Sequence, residues 1–265
     1  MQLRTYNIAP LFLGTDGLTV AQQNRMAELV QRMVEADTNP KKKLTDKMVE
    51  ELDKLMDTAQ QEPELPQGAM TLIEEYVDAE LYGYKDSFSS KETEKGLTVE
   101  DDSIELYNDV FFTDHNKLVV GDEFYELSHD ILVGHPDVVC VKTKMVKDAK
   151  SSWNKKTFPK TPDKAKNSTH MWQVKTYLYM LRMMTNDMGW RYGEVFYCLS
   201  DTPETLVPEW EDDSLHDMSN VPNNLRITVV PVELTDEDVA HMTRRLGMAK
   251  RYAEKYRQTI LNKNK

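Results

Sequence analysis

Hydrophobic positions recur at helical spacing in two stretches near the start of the chain. Over 19–36 the stripe is Met26, Leu29, Val30, Met33 and Val34, and Thr19 with Gln22 three residues on reads as a capping box. Over 41–60 it is Leu44, Met48, Leu52, Leu55 and Met56. Pro63, Pro66 and Gly68 break the pattern, so residues 1–66 are expected to form an N-terminal helical extension and 67–265 the main domain. A third helix is predicted over 69–84. Ser89 and Glu92 suggest a capping box for a fourth, running to about Val110 with Leu97, Glu100, Ile104, Tyr107 and Phe111 on its inward stripe. A carboxylate on such a stripe faces the core rather than water.

The pattern then shortens. Strands are predicted over 117–120, 123–127, 131–133, 136–141 and 144–150. Residues 154–168 are rich in Lys, Thr and Pro and read as a mobile loop. A helix over 169–184, strands over 191–199 and 225–234, and a closing helix to about Leu261, capped by Thr235 with Asp238, complete the chain. This order predicts an α/β fold, with a mixed central sheet flanked by helices.

Composition narrows the class. Of the 265 residues, 40% are apolar and 29% charged, which fits a folded globular chain rather than a disordered one. Cys140 and Cys198 lie in apolar runs and are too few for a zinc finger or a four-cysteine cluster. No run is long enough to span a membrane, and the N-terminus lacks the apolar region and small-residue cleavage site of a signal peptide. A cytoplasmic protein is expected, in the host cytoplasm if a phage encodes it. The net charge of −12 argues against nucleic acid as a partner, but its distribution does not. Ten lysines against Asp148 and Asp163 make 142–175 locally +8, leaving −20 for the rest. Lys155, Lys156, Lys160, Lys164, Lys166 and Lys175 are therefore candidate DNA contacts, with 154–168 as a flap that is disordered without substrate.

The same region carries candidate chemistry. On a strand over 144–150, Val146, Asp148 and Lys150 point to one face, and Met145, Lys147 and Ala149 to the other. Asp148 and Lys150 are then neighbours on a surface. Asp137 follows Pro136 at the mouth of another apolar strand, and Glu100 comes from its helix. Three carboxylates and one ammonium would converge, a set suited to phosphodiester hydrolysis with Mg²⁺ or Mn²⁺. The lysine would position or deprotonate a water. Gln173 and Tyr177, four apart on one helix face, would orient it or touch the DNA backbone.

These residues also carry a family resemblance. Gly134-His-Pro-Asp137-Val-Val followed by Val146-Lys-Asp148-Ala-Lys150 resembles the signature of the PD-(D/E)XK nuclease superfamily. Gln173 to Tyr177 looks like the QxxxY motif of its RecB-like and phage-exonuclease branches. Gly96 to Glu100 looks like the preceding GxxxE helix motif, where the RecB branch more often has His, so the phage lambda-exonuclease type is the nearer match. The resemblance covers about residues 90–200. It implies catalytic Glu100, Asp137, Asp148, Lys150, Gln173 and Tyr177, and a metal held by Glu100, Asp137, Asp148 and Ala149. It further implies an exonuclease on linear duplex DNA that feeds a recombinase or single-strand-annealing partner, and a ring-like homo-oligomer. A restriction-type endonuclease and a catalytically silent binding module on the same fold remain as alternatives.

Other features read more plainly. His129, His135 and His170 match no zinc spacing. Met180, Met183, Met184 and Met188 read as core filler. Trp153 has two open readings, stacking on a base and simple packing. Glu209, Glu211, Asp212, Asp213 and Asp217 read as a solvated acidic loop that repels DNA.

Overall fold

The computed structural model describes residues 1–14, 17–18, 20–36, 39, 42–60, 64–84 and 90–263. In chain order these form β1 (Leu3–Arg4), α1 (Ala9–Phe12), α2 (Val20–Ala36), α3 (Asp46–Gln60), α4 (Gln67–Tyr82), α5 (Lys91–Thr98) and α6 (Glu100–Phe111). There follow β2 (Leu127–His129), β3 (Leu132–Gly134), β4 (Val138–Cys140), β5 (Met145–Ser151), α7 (Pro162–Ala165), α8 (Ser168–Thr185), β6 (Tyr192–Cys198), β7 (Ile227–Glu233) and α9 (Asp236–Asn262). The chain divides into two compact units, residues 13–67 and residues 1–12 with 68–265. Residues 1–12, expected in the extension, thus belong to the larger unit, because β1 pairs in parallel with β3.

The smaller unit is a helical hairpin. Leu29 of α2 packs with Leu52 and Leu55 of α3 and with Leu18, and Arg25 forks onto Glu51. Of the stripe read from the sequence, Val30, Met33 and Val34 are exposed. Thr19, proposed as the cap of α2, lies outside the described residues.

In the larger unit the strands form two mixed sheets, ordered β1-β3-β2 and β4-β5-β6-β7. The segment from Gly134 to Asp137 carries the chain from the first sheet to the second. β5 and β6 run parallel over seven residues, and α8 connects them as a crossover helix should. Gly193 of β6 leaves room for α8, since a Cβ there would stand 2.6 Å from Val174 and 2.7 Å from the Val146 carbonyl. On the opposite face α6 packs Ile104 and Tyr107 onto Val138 and Phe196. Tyr107 also joins a buried network in which Lys147 Nζ lies 2.6 Å from Glu194.

The main departures from the expected elements lie between residues 89 and 127. The helix expected from Ser89 to about Val110 is two helices, broken at Val99, where φ is −106° and ψ 16°. Gly96, Thr98 and Val99 are weak helix formers, whereas Glu100, Asp101 and Asp102 suit the start of a new helix. Leu97 is consequently 71% exposed and Phe111 is exposed as well, so no single stripe runs through both helices. Ser89 lies outside the described residues; Ser90 is the cap, accepting the Thr93 N–H. Residues 117–120 form no strand, because the Leu118 N–H is spent on the Asp137 carbonyl rather than on a ladder. The capping box of Thr235 with Asp238 is present at α9.

Candidate active site

Asp137, Asp148, Ala149 and Lys150 meet because of a mismatch in strand length. The last pair between β4 and β5 is Val138 with Lys147, so β5 continues past β4 with an open edge. Asp137 stands where β4 begins, and its Oδ2 accepts the Ala149 N–H at 2.7 Å, taking the place of the missing strand. The Ala149 methyl packs into the α6 core, which leaves only its backbone to the site. Lys150 Nζ lies 2.6 Å from Asp148 Oδ2.

Asp148 was expected on a surface; it is fully buried. The helix α8 covers the β5 face that carries Val146 and Asp148, so period-two alternation gave the correct face but not its exposure. Neither carboxylate oxygen accepts a well-aligned hydrogen bond; the contact with Lys150 is a charge contact. Burial and the adjacent Asp148 charge drive the Asp137 carboxyl well above the usual range. Burial also raises Asp148, against the pull of Lys150. Lys150 loses by burial, yet Asp148 and Asp137 hold its ammonium above the ordinary lysine value. Two acidic groups reluctant to ionise, and one firmly protonated amine, share this corner.

Glu100 reaches the site by a different route from the one expected. It begins α6, and its Oε2 is held 2.9 Å from Lys117 Nζ. The Leu118 N–H to the Asp137 carbonyl fastens that lysine's segment to the site. Glu100 is near enough for its charge to act on both aspartates, but among the described residues no three His, Cys, Asp or Glu side chains already stand as a ligand set. Lys117, the partner that holds it, was not singled out in the sequence.

Gln173 and Tyr177 do lie on one face of α8, but they point to each other and to the backbone. Gln173 Nε2 donates to Tyr177 Oη at 3.1 Å, and Tyr177 Oη donates to the His135 carbonyl at 2.8 Å. Tyr177 is buried with its hydroxyl on the His135 carbonyl, two residues from Asp137, so it contacts neither Lys150 nor the surface where DNA would lie. Gly134 admits this packing, since a Cβ there would stand 2.2 Å from Thr5 Oγ1 and 2.8 Å from the Tyr177 ring. His170, which matches no zinc spacing, borders the site with Nδ1 2.7 Å from Tyr197 Oη. Burial and then Lys150 push its pKa down to about 4, so the ring is neutral.

The lysine segment is ordered rather than a mobile flap. Asn154, Phe158 and Ala165 are buried anchors, and Thr161 caps α7. Lys155 donates to the Ser214 carbonyl and Lys160 to the Lys155 carbonyl. Lys166 pairs with Asp163 at the surface. Lys175, expected on DNA, pairs at 2.7 Å with Asp238, the partner of Thr235 in the capping box of α9. The acidic loop is not freely solvated either, because Glu211 accepts from Trp153 and Asn154. Lys164 and Lys166 border an open cleft of about 1710 Å³, whose floor includes Glu100, Asp137, Ala149, Lys150 and Gln173.

No protein-family model and no curated protein matches this chain. Solved structures do. A phage-related exonuclease from Haemophilus somnus 129PT superposes with a TM-score of 0.69 at 17% identity, over 100% of this chain and 97% of its own. An alkaline exonuclease from Laribacter hongkongensis, LHK-Exo, superposes with a TM-score of 0.52 at 12% identity, covering 99% and 92%. The same enzyme in complex with dAMP gives 0.53 at 12% over the same shares. The chain therefore has the fold of these phage-type and alkaline exonucleases, at an identity that speaks to the fold alone.

Proposed function

We propose that this protein is a Mg²⁺-dependent deoxyribonuclease that digests linear duplex DNA from its ends. One observation carries the reading. Among the described residues, Asp148 is buried beside Asp137 with an oxygen that nothing satisfies, and Lys150 is the one ammonium in contact with it. An unmet buried acceptor is costly, and a hard cation is the natural partner for such oxygens.

The donor set fits Mg²⁺ or Mn²⁺: the Asp137 and Asp148 carboxylates, with the Ala149 carbonyl as the one further oxygen that alanine offers. Glu100 would act from further out, through Lys117 or water. When bound, the ion supplies Lewis-acid polarisation of the phosphate and activates water. Lys150, held protonated by its two aspartates, works as a donor that positions the nucleophilic water and offsets charge on the phosphoryl oxygens, not as a base. Neutral His170 and Tyr197 border the same space. The Tyr177 bond to His135 fixes the chain just before Asp137.

The neighbouring folds are exonucleases, and dAMP in the LHK-Exo complex is a deoxynucleoside monophosphate, the product that stepwise hydrolysis of DNA releases. Stepwise digestion needs the duplex retained between cuts, so a second copy of the chain, or a recombinase or annealing partner, would complete the machine. Incubation with linear and circular duplex DNA, in Mg²⁺ and in EDTA, tests the proposal. Only the linear form should disappear, and only with Mg²⁺. Cutting of both forms would indicate an endonuclease, and survival of both a binding module.

A further inference from the structure

Trp153 stands three residues beyond Lys150, where β5 ends, on the wall of the catalytic cleft. Four separate contacts hold it. Its carbonyl accepts from Lys95 Nζ at 2.9 Å and from Thr202 Oγ1 at 3.0 Å. Its indole N–H donates to Glu211 at 3.1 Å. Its ring meets His216 edge-on, with centroids 5.3 Å apart. The supports are themselves built in. Lys95 is fully buried and donates to the Ser152, Trp153 and Ser200 carbonyls. His216 is buried against Thr202 and Glu211.

Burying an ammonium on three carbonyls is an expensive way to place a residue that only fills space. A tryptophan added merely for packing would also be buried, whereas Trp153 stays partly exposed at the cleft. A fixed aromatic ring a few residues from the hydrolytic lysine has the properties of a stacking surface, with its ordering cost met in the free protein. We propose that Trp153 is a nucleobase-stacking residue that holds one base of the bound strand in register with the Asp148–Lys150 corner. The proposal rests on the nuclease reading above and adds a contact that is sequence-tolerant, since every base has a π-face.

The test is an abasic scan. Single-stranded oligodeoxynucleotides, each lacking one base at a different position, are bound in EDTA to the wild type, Trp153→Leu and Trp153→Phe, with cleavage in Mg²⁺ assayed in parallel. For the wild type, loss of one particular base should weaken binding about 5- to 150-fold. Trp153→Leu should bind the intact strand about that much more weakly and show no extra loss at that position. Trp153→Phe, which keeps an aromatic face and serves should the leucine variant fold poorly, should retain the positional penalty. An abasic penalty of equal size in Trp153→Leu, or a wild type with no sensitive position, overturns the stacking role while cleavage leaves the nuclease reading intact. A wild type that neither binds nor cuts DNA overturns both.

Discussion

The Asp137 carboxylate accepts the Ala149 N–H at 2.7 Å, so a side chain completes the sheet edge that β4 is too short to cover. That bond fixes Asp137 beside Asp148 in spite of the repulsion between them. Structure and proposed chemistry use the same carboxylate at once.

Asp137→Asn separates the two uses. The amide oxygen can still accept from Ala149, so the fold should persist while hydrolysis falls by at least about 100-fold. The pH dependence has a defined sign. Because the folded Asp137 value is raised, its contribution to stability is most favourable below the ordinary Asp range, about 3.9, and is lost as pH rises through the raised value. In EDTA, the melting temperature of Asp137→Asn relative to wild type should therefore increase as pH climbs from about 4 and then level off. A constant difference across that range would count against the buried, raised carboxyl.

Lys150→Gln should fold and lose at least about 100-fold in kcat, as expected for a group acting on the reacting proton or phosphoryl oxygens. DNA binding in EDTA should change far less. Single-turnover cleavage beside anisotropy titration separates the two effects, and equal losses in both would reduce Lys150 to a binding residue.

Tyr177→Phe removes two buried hydrogen bonds, the one donated to His135 and the one accepted from Gln173, and should cost about 1 to 3 kcal/mol of stability. Since Tyr177 cannot reach DNA, kcat should fall through misplacement of Asp137 while KM holds. Chemical denaturation with steady-state kinetics checks both halves; a rise in KM alone would point to substrate contact.

The lysines should split by their partners. Lys164→Ala and Lys166→Ala at the cleft should each reduce the salt slope of duplex binding by about 0.9. Lys175→Ala should leave that slope unchanged and destabilise the protein by about 2 kcal/mol, because it breaks a half-buried pair with Asp238 of the α9 capping box. Anisotropy across salt concentrations and thermal melts report the two quantities.

Much of this arrangement was legible before the structure. Asp148 and Lys150 share a strand face by simple alternation, the long segments α8 and α9 read as helices, and the Thr235 cap of α9 is visible as well. What stayed hidden depends on distant contacts. Lys117 matters because Glu100 lies opposite it and Leu118 bonds Asp137, which no local pattern encodes. Lys95 looks like a solvated helix lysine, yet it is fully buried under carbonyls from two strand ends, and burial pushes it down to about 8. The lysine-rich segment reads as mobile because its charges outnumber its anchors, and Asn154 and Phe158 suffice to pin it. The helix break at Val99 was masked by an apolar spacing that continues across it.

The central claim is hydrolysis by a cation held at Asp148, and its most direct test is single-turnover cleavage of an end-labelled linear duplex across a range of Mg²⁺ concentrations. Wild-type protein and Asp148→Asn are compared, each first confirmed folded by its melting curve. The wild-type rate should rise from zero in EDTA to a plateau, and the variant should stay uncleaving at every Mg²⁺ concentration. Cleavage by the wild type in EDTA, or by the variant at the wild-type rate, would contradict the account.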